Sequence, residues 1–341
     1  MEKNLQIAVI GAGLMGHGIA LTLARAGQNV AISDPHAPTL KSAPARISDS
    51  LRTLGATDAE IARTLKKIEL CDTLGAAVAD AAFVFEAAPE KLELKRQIFA
   101  EVEALAPEQA ILASNTSVIQ ITRIMDGLKR PERALGTHWW NPPHMIPLVE
   151  VVRTEWTSDA AADAMMALLT AAGKTPVMVA KDVPGFIGNR LQHALWREAI
   201  SLVERGICDA EAVDTVIKSC FGRRLPVLGP MENADLVGTD LTLDIHRNVL
   251  FDLESRQGPS PYLEALVRDG KLGMKTGEGF RTWTEQEADE VRARVARHLT
   301  RLDTISRIPP LPITIPLAGL TNVRGGLALL YRHLTAKYPP T

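Results

Sequence analysis

The spacing of apolar and polar residues divides the chain into a first half of short apolar runs and a second half of helical repeats. Short, unbroken apolar runs are typical of strands that are buried in a parallel sheet. The runs predict strands over residues 5–10, 29–33, 82–86, 110–113, 136–140 and 148–152. Between them, a helical spacing predicts helices over 15–26, 37–68 and 90–105. The second of these helices is broken into a hairpin at 55–58, where Thr57 or Asp58 is expected to cap the second arm.

The second half of the chain begins after the segment Lys-Asp-Val-Pro-Gly at 181–185. A long, apolar-rich helix is predicted over 186–205, ended by Gly206, and Asp209 is expected to cap the next helix. A charged amphipathic helix is predicted over 285–302. We therefore expect three parts, namely an α/β domain over 1–184, an all-α C-terminal domain over 185–303 and a C-terminal extension over 304–341.

A glycine-rich turn joins the first predicted strand to the first predicted helix. Gly11, Gly13 and Gly16 have the spacing G-x-G-x-x-G, in which the backbone approaches a pyrophosphate at a helix N-terminus. Asp34 ends the second predicted strand, where a carboxylate accepts hydrogen bonds from ribose hydroxyls and repels a 2′-phosphate. The pattern predicts a Rossmann-type, doubly wound, mainly parallel sheet that binds NAD, with FAD as the open alternative.

Composition narrows the range of functions further. The 341 residues carry a net charge of −2, so the chain has no basic surface of the kind that binds nucleic acid in bulk. No apolar stretch is long enough to cross a bilayer, and the first residues do not resemble a signal peptide. The three cysteines are far apart in sequence and predict reduced thiols, without a disulfide framework or a metal site. A cytoplasmic protein with no nucleic-acid or membrane partner is expected.

A histidine and a glutamate are the strongest candidates for catalysis. His138 lies between a predicted strand and a Pro-Pro turn, and a neutral imidazole there can take a proton from a hydroxyl. Glu150 lies in an apolar strand, where a carboxylate requires a partner. Pairing with His138 would satisfy Glu150 and fix the imidazole tautomer. Two alternatives stay open at this point: both residues belong to the core, or His144 is the base.

The ordered motifs of the chain resemble the 3-hydroxyacyl-CoA dehydrogenase family over residues 5–284. The resemblance rests on the glycine-rich turn, Ser-Asn-Thr-Ser at 114–117, His-Trp-Trp-Asn-Pro-Pro at 138–143, Leu-Val-Glu-Val-Val at 148–152, Pro-Gly-Phe-Ile-Gly-Asn-Arg at 184–190 and Leu-Gly-Met-Lys-Thr-Gly-Glu-Gly-Phe at 272–280. It implies an NAD-dependent dehydrogenase of fatty acid metabolism with a small-molecule substrate. A homodimer formed through the helical domain, with the active site between the domains, is also implied.

The same resemblance implies roles for individual residues. It places His138 as the catalytic base, Glu150 as its partner, and Ser117 and Asn189 at the catalytic centre and on the substrate. The implied cofactor-binding residues are Gly11, Gly13, Leu14, Met15, Gly16, Asp34, Glu90, Lys95 and Asn115. His144 becomes a residue of the turn or the substrate rim.

Departures from the acyl-CoA members leave the substrate open. Trp139 and Trp140 stand where those members commonly have Phe-Phe, so we expect substrate contact from both, with core packing as the alternative. The 35–80 segment is shorter and poorer in lysine than the hairpin that helps to hold CoA. Two blocks, at 141–150 and 185–192, are closer to branches that act on free compounds, which include gulonate, carnitine and pyridine-carboxylate dehydrogenases.

Three hypotheses about function follow. The first is oxidation of the 3-hydroxyl of a 3-hydroxyacyl-CoA or a similar compound. The second is a dehydrogenase of a free hydroxy acid or alcohol, in which Arg223 or Arg224 could bind a carboxylate or could equally lie at the surface. The third is a crystallin-like NAD-binding protein without catalysis.

Overall fold

The computed structural model describes residues 6–306, with side chains through 302. The predicted extension over 304–341 therefore lies almost wholly outside the described residues. The chain through Thr300 groups into one compact unit. None of the described helices is long and apolar enough to span a bilayer.

The first part of the chain alternates strands and helices. The strands are β1 (Gln6–Ile10), β2 (Asn29–Ser33), β3 (Ile68–Cys71), β4 (Phe83–Glu86), β5 (Ile111–Ser114), β6 (Ala134–Trp139), β7 (Leu148–Val152) and β8 (Thr175–Val179). The helices among them are α1 (Leu14–Arg25), α2 (Ala37–Thr53), α3 (Asp58–Leu65), α4 (Leu74–Val78), α5 (Leu92–Leu105), α6 (Ile121–Met125) and α7 (Asp159–Ala171). The sequence predicts six of these strands and four of these helices near these bounds, and the break between α2 and α3 is where the sequence indicates it.

The eight strands form one sheet in the order β3-β2-β1-β4-β5-β6-β7-β8. Every neighbouring pair is parallel except β6 and β7, which run antiparallel. The order reverses between β1 and β4, and in such doubly wound sheets the ligand crevice lies at this point, outside the carboxyl ends of the strands. The predicted Rossmann-type, mainly parallel sheet is confirmed.

Both faces of the sheet are covered because side chains of a strand alternate between them. In β1, Ile7 and Val9 join a core with residues of α1, α2 and α7. Ala8 and Ile10 join the opposite core, with residues of α4, α5 and α6. This double burial explains why the central strands read as unbroken apolar runs.

The second part of the chain is helical, as predicted. It contains α8 (Gly188–Glu204), α9 (Ala210–Ser219), α10 (Pro230–Val237), α11 (Thr239–Val249), α12 (Pro261–Arg268) and α13 (Glu285–Ser306). Gly206, with a φ of 68°, follows the end of α8. Asp209 caps α9 by accepting a hydrogen bond from the amide of Ala212 at 2.8 Å. The capping predictions for Thr57 and Asp209 are both confirmed.

The prediction of helix through residue 68 was wrong at its end, and five elements of the first part were not predicted, namely β3, β8, α4, α6 and α7. Strand β3 begins at Ile68, and its middle residues are exposed, so it lacks the apolar run of a central strand. Strand β8 contains Pro176 and is an edge strand. Helices α4 and α6 have five residues each, too few for a clear period, and α7 is rich in alanine.

Candidate active site

His138 and Glu150 face each other across the antiparallel pair of β6 and β7. The strand register places the two residues directly opposite, and cross-strand neighbours on one face lie within contact distance. The Nδ1 atom of His138 lies 2.7 Å from Oε2 of Glu150, and both side chains are buried. A carboxylate accepts hydrogen bonds and cannot donate them, so Nδ1 carries the hydrogen and Nε2 is left as an acceptor. This is the tautomer that a general base requires.

Glu150 also binds the start of helix α8. Its second oxygen, Oε1, accepts hydrogen bonds from the amides of Ile187 at 2.8 Å and Gly188 at 3.0 Å. These amides belong to the positive N-terminal end of the helix, which favours a carboxylate. Burial alone would raise the pKa of Glu150, but the hydrogen bonds from His138, Gly188 and Ile187 outweigh it and hold the pKa below its usual value. One ionised carboxylate thus orients the histidine and fixes the first helix of the helical half.

Two aromatic rings flank the imidazole. The ring of Trp140 lies 5.0 Å from that of His138, centre to centre, and the ring of Phe186 lies at 5.5 Å. Phe186 is buried and has a φ of 51°, an unusual backbone conformation for a bulky residue. Strain of this kind concentrates at functional sites. The two rings pack on both sides of the imidazole and contribute to the burial of His138, which is 3% exposed.

The structure separates the two adjacent tryptophans. Trp140 follows His138 on the same face and contacts Gly188 in α8. Trp139 points to the other face, where it is 2% exposed and packs edge-on against Phe85. The expectation that Trp139 contacts substrate is wrong, because residues i and i+1 of a strand face opposite sides of the sheet. Trp140 stays a predicted substrate contact.

Ser117 and Asn189 meet at the same place. The side-chain amide of Asn189 donates a hydrogen bond to the backbone carbonyl of Ser117 at 2.9 Å. Asn189 follows Gly188 directly, so the hydrogen bonds from α8 to Glu150 place it beside the catalytic pair. Ser117 is exposed in the loop after β5. The structure therefore brings together all four residues that the sequence assigned to the catalytic centre.

Glu90 fixes the loop that carries Ser117. Its Oε1 atom accepts hydrogen bonds from the hydroxyl of Thr116 at 2.5 Å and from the amides of Ser117 at 3.0 Å and Val118 at 3.2 Å. Burial raises the pKa of Glu90. The Thr116 hydroxyl, the Lys95 charge and the two amides together lower it by more, so the pKa lies below its usual value. Glu90 thus supports the site as an ionised anchor for this loop.

Lys95 lies behind the site and is fully buried. Its ammonium donates to Glu86 at 2.7 Å and to the backbone carbonyl of Ala88 at 3.3 Å. Burial raises the pKa of Glu86, and the charge of Lys95 opposes this. The family resemblance implies that Lys95 contacts the cofactor. In the structure its ammonium binds the backbone of the loops that follow β4 and β5. Asn115, expected at the cofactor as well, accepts a hydrogen bond from the amide of Trp139 at 3.1 Å.

The glycine-rich turn has the shape that a dinucleotide requires. Gly11 has a φ of 98°, and a Cβ on Gly16 would lie 1.7 Å from the carbonyl oxygen of Gly11. Gly13 has open space where a side chain would stand. Asp34 accepts a hydrogen bond from the amide of Ala12 at 2.8 Å, which places its carboxylate at the edge of the turn. The other two predicted contacts open α1: Leu14 is 64% exposed and Met15 is partly buried.

Comparison with known proteins identifies this arrangement. The NAD-binding domain of 3-hydroxyacyl-CoA dehydrogenases matches residues 6–183, and the C-terminal domain of the same enzymes matches residues 185–283. The chain belongs to the 3-hydroxyacyl-CoA dehydrogenase family. It is an NAD-dependent oxidoreductase of the type that acts on CH–OH groups.

Relatives within this family act on different compounds. The 5-formyl-3-hydroxy-2-methylpyridine 4-carboxylate 5-dehydrogenase of Mesorhizobium japonicum is 35% identical over 88% of this chain and 97% of its own length. A solved structure of an enzyme with that activity, an NAD⁺-dependent dismutase, superposes with a TM-score of 0.81 over 88% of this chain and 97% of its own. A (S)-3-hydroxybutyryl-CoA dehydrogenase from Ralstonia eutropha is 30% identical, with a TM-score of 0.69 over 82% and 99% of the two chains.

NAD fits the residues of the family's cofactor site in this chain. The amides at the start of α1 suit the diphosphate, and the Asp34 carboxylate suits the ribose hydroxyls.

His144, the alternative base, lies in a different environment from His138. It packs against Gly18 of α1 and near His17. Burial lowers the pKa of His144 to about 4, and the neighbouring His17 and Lys174 add to this effect. Its Nδ1 atom has no hydrogen-bond partner among the described residues, so no carboxylate orients it. His144 therefore lacks the carboxylate partner that suits His138 to the role of a base.

Sequence reasoning missed Glu86, Phe186 and Gly188. Glu86 ends an apolar strand, which is the same signal that singled out Glu150. Phe186 and Gly188 lie within a motif of the family resemblance, but nothing in their residue types marks their contact with the histidine and its tryptophan neighbour.

Replacing Gly188 with alanine tests the contact between α8 and Trp140. A Cβ at this position would lie 2.4 Å from Cζ2 of Trp140, so either the Trp140 ring or the start of α8 must shift. We expect the free energy of unfolding to fall by about 1–3 kcal/mol, as at other overpacked sites, and the melting temperature to fall with it. In a Trp140→Phe background, where that atom is absent, the same substitution should cost much less. Equal losses of melting temperature in both backgrounds would show that this contact does not set the position of α8.

Proposed function

We propose that the protein oxidises the 3-hydroxyl of a β-hydroxyacyl compound to the 3-keto product. The observation that carries this proposal is the buried pair of His138 and Glu150, with an Nδ1–Oε2 distance of 2.7 Å, next to Asn189. Such a pair supplies a proton acceptor whose tautomer is fixed and whose charged form is stabilised after proton transfer.

The proposed reaction divides the work among the four residues. The Nε2 atom of His138 would take the hydroxyl proton. NAD held by the glycine-rich turn and Asp34 would supply the acceptor for the hydride that leaves the same carbon. Glu150 stays ionised and stabilises the imidazolium that forms, as its lowered pKa supports. The Ser117 hydroxyl and the Asn189 amide bind the reacting oxygen or the adjacent carbonyl. In the reverse direction His138 returns the proton to the alkoxide.

A free hydroxy acid or alcohol is the second candidate substrate. The higher TM-score against the pyridine-carboxylate enzyme supports it, 0.81 against 0.69 for the hydroxybutyryl-CoA enzyme. The indole of Trp140 beside His138 also supports it, because a flat aromatic wall suits a ring substrate. The non-catalytic hypothesis is disfavoured by the complete catalytic set.

Steady-state formation or consumption of NADH separates these substrates. The assay compares acetoacetyl-CoA with a panel of free 3-hydroxy acids, carnitine, gulonate and hydroxymethyl or formyl pyridine carboxylates. Turnover of the thioester alone would exclude the free-acid candidate, and turnover of free compounds alone would exclude the thioester. No turnover of any compound by cofactor-loaded protein would contradict the proposed oxidation as a whole.

We also propose that the protein is a homodimer formed through its helical half. Helices α9, α10 and α11 contain no buried residue in the single chain. Large apolar side chains are exposed on these helices and in the segments that flank them, among them Met231 in α10 at 73%, Val227 before it at 85% and Phe251 after α11 at 83%. Exposed apolar side chains grouped in one region are typical of a protein–protein interface. The cytoplasmic location and a place in fatty acid metabolism stay predictions.

Sedimentation tests the dimer. We expect a dimer at micromolar concentration, and we expect Phe251→Asp to shift it towards the monomer because a charge would be buried at the interface. Leu14→Asp, an exposed apolar position in the NAD-binding half, serves as the control and should leave the dimer intact. A monomeric wild-type protein would contradict the proposal.

A further inference from the structure

Arg46 of α2 lies on the glycine-rich turn, although it is far from the turn in sequence. One guanidinium nitrogen, Nη2, donates hydrogen bonds to the backbone carbonyl of Ala12 at 2.6 Å and to that of Thr39 at 2.9 Å. Ala12 is inside the turn, and Thr39 is in the first turn of α2. The side chain therefore folds back along its own helix and reaches the place where the turn meets α1.

This guanidinium has no anionic partner in the described part of the chain. Its contacts there are to two carbonyl oxygens and to the ring of His17, whose Nδ1 lies 3.5 Å from Nη1. That Nδ1 also lies 2.9 Å from the carbonyl oxygen of Gly13, which can only accept. His17 Nδ1 must therefore carry a hydrogen, so it cannot accept one from Arg46. The Nη1 and Nε groups of Arg46 are left as unused donors.

A half-buried cation with unused donors at this turn fits a phosphate ligand. The turn and the α1 N-terminus suit the diphosphate of a dinucleotide, and a guanidinium forms paired hydrogen bonds with phosphate oxygens. Asp34 binds the neighbouring amide of Ala12 and is suited to the uncharged ribose. We propose that Arg46 is a further cofactor-binding residue, which binds the diphosphate of NAD next to the adenosine.

The test compares phosphate-bearing and phosphate-free ligands on the full-length protein. ADP and adenosine are titrated as competitors against bound NADH, which is followed by its fluorescence. We expect Arg46→Met to lower the affinity for ADP by about tenfold, which is the loss of one good charge-assisted contact. The affinity for adenosine should change by less than about twofold. Arg46→Lys keeps the charge without the paired geometry and should weaken ADP by about threefold.

Arg52→Met is the matched control, since Arg52 is on the same helix and, within residues 6–302, forms an ion pair with exposed Asp49 alone, at 3.1 Å. This substitution should leave the affinities for ADP and adenosine unchanged. Unchanged ADP affinity in Arg46→Met would overturn the proposal. Equal weakening of ADP and adenosine would overturn it too, because Arg46 would then only hold the turn in shape. If the methionine variant fails to fold, Arg46→Lys decides by the same comparison.

Discussion

Replacing His138 with glutamine is expected to lower kcat for alcohol oxidation by about 10²–10⁴-fold, with little change in NADH affinity. Glutamine keeps much of the size and polarity of histidine but cannot accept the hydroxyl proton at neutral pH. General-base catalysis contributes an effect of this size. NADH affinity should persist because His138 lies in β6 and is bound to Glu150, whereas the glycine-rich turn joins β1 to α1. The measurement is the steady-state rate with saturating NAD, together with a fluorescence titration of NADH.

His144→Gln is the control for this prediction. His144 lies in the same segment, but no carboxylate of the described residues pairs with it, and burial lowers its pKa to about 4. We expect its kcat to stay within about threefold of the wild type, since no proton transfer passes through it. A large loss of kcat in His144→Gln with little loss in His138→Gln would show that His144 is the base and that the assignment to His138 is wrong.

Replacing Glu150 with glutamine is expected to damage both stability and catalysis. The carboxylate makes three hydrogen bonds, one to His138 and two to the amides of Ile187 and Gly188. Hydrogen bonds to charged groups contribute about 1.5–3 kcal/mol each, and an amide oxygen replaces only part of this. We expect a fall in melting temperature of several degrees and a fall in kcat of about 10²-fold, as the imidazole loses its fixed tautomer.

The pH dependence of this stability loss distinguishes the charge from the shape of Glu150. Folding holds the pKa of Glu150 below its ordinary value of 4.5. The stability it contributes is therefore complete above pH 4.5 and is lost as the pH falls through the lowered value. The gap in melting temperature between wild type and Glu150→Gln should be widest near neutral pH and should narrow as the pH falls below 4.5. A gap that does not change with pH would mean that the carboxylate charge contributes nothing.

The register of two strands explains why the central pair could be predicted from sequence. His138 stands out between a predicted strand and a Pro-Pro turn, and Glu150 stands out as a carboxylate in an apolar strand that requires a partner. The antiparallel pairing of β6 and β7 then places them face to face. Strands β1, β2 and β4 were predictable for a related reason, since burial on both faces requires continuous apolar runs. Ser117 and Asn189 depended on the family resemblance, because nothing local marks them.

Other features depend on contacts that a linear pattern does not contain. The orientation of Trp139 and Trp140 depends on strand phase, and the two tryptophans differ only in which face they occupy. Arg46 reaches Ala12 across 34 residues through a folded-back side chain, so neither residue type nor spacing predicts it. Strand β8 has an exposed, proline-containing sequence, and its pairing with β7 is what makes it a strand.

The transfer of deuterium to the cofactor tests the central claim most directly. A substrate from the panel that carries deuterium on the carbon of the reacting hydroxyl is mixed with the protein and NAD, and the NADH is analysed by mass spectrometry. Our account predicts that each NADH formed carries one deuterium and that His138→Gln forms it at least about 10²-fold more slowly. NADH without the label, or equal rates in the two proteins, would contradict it.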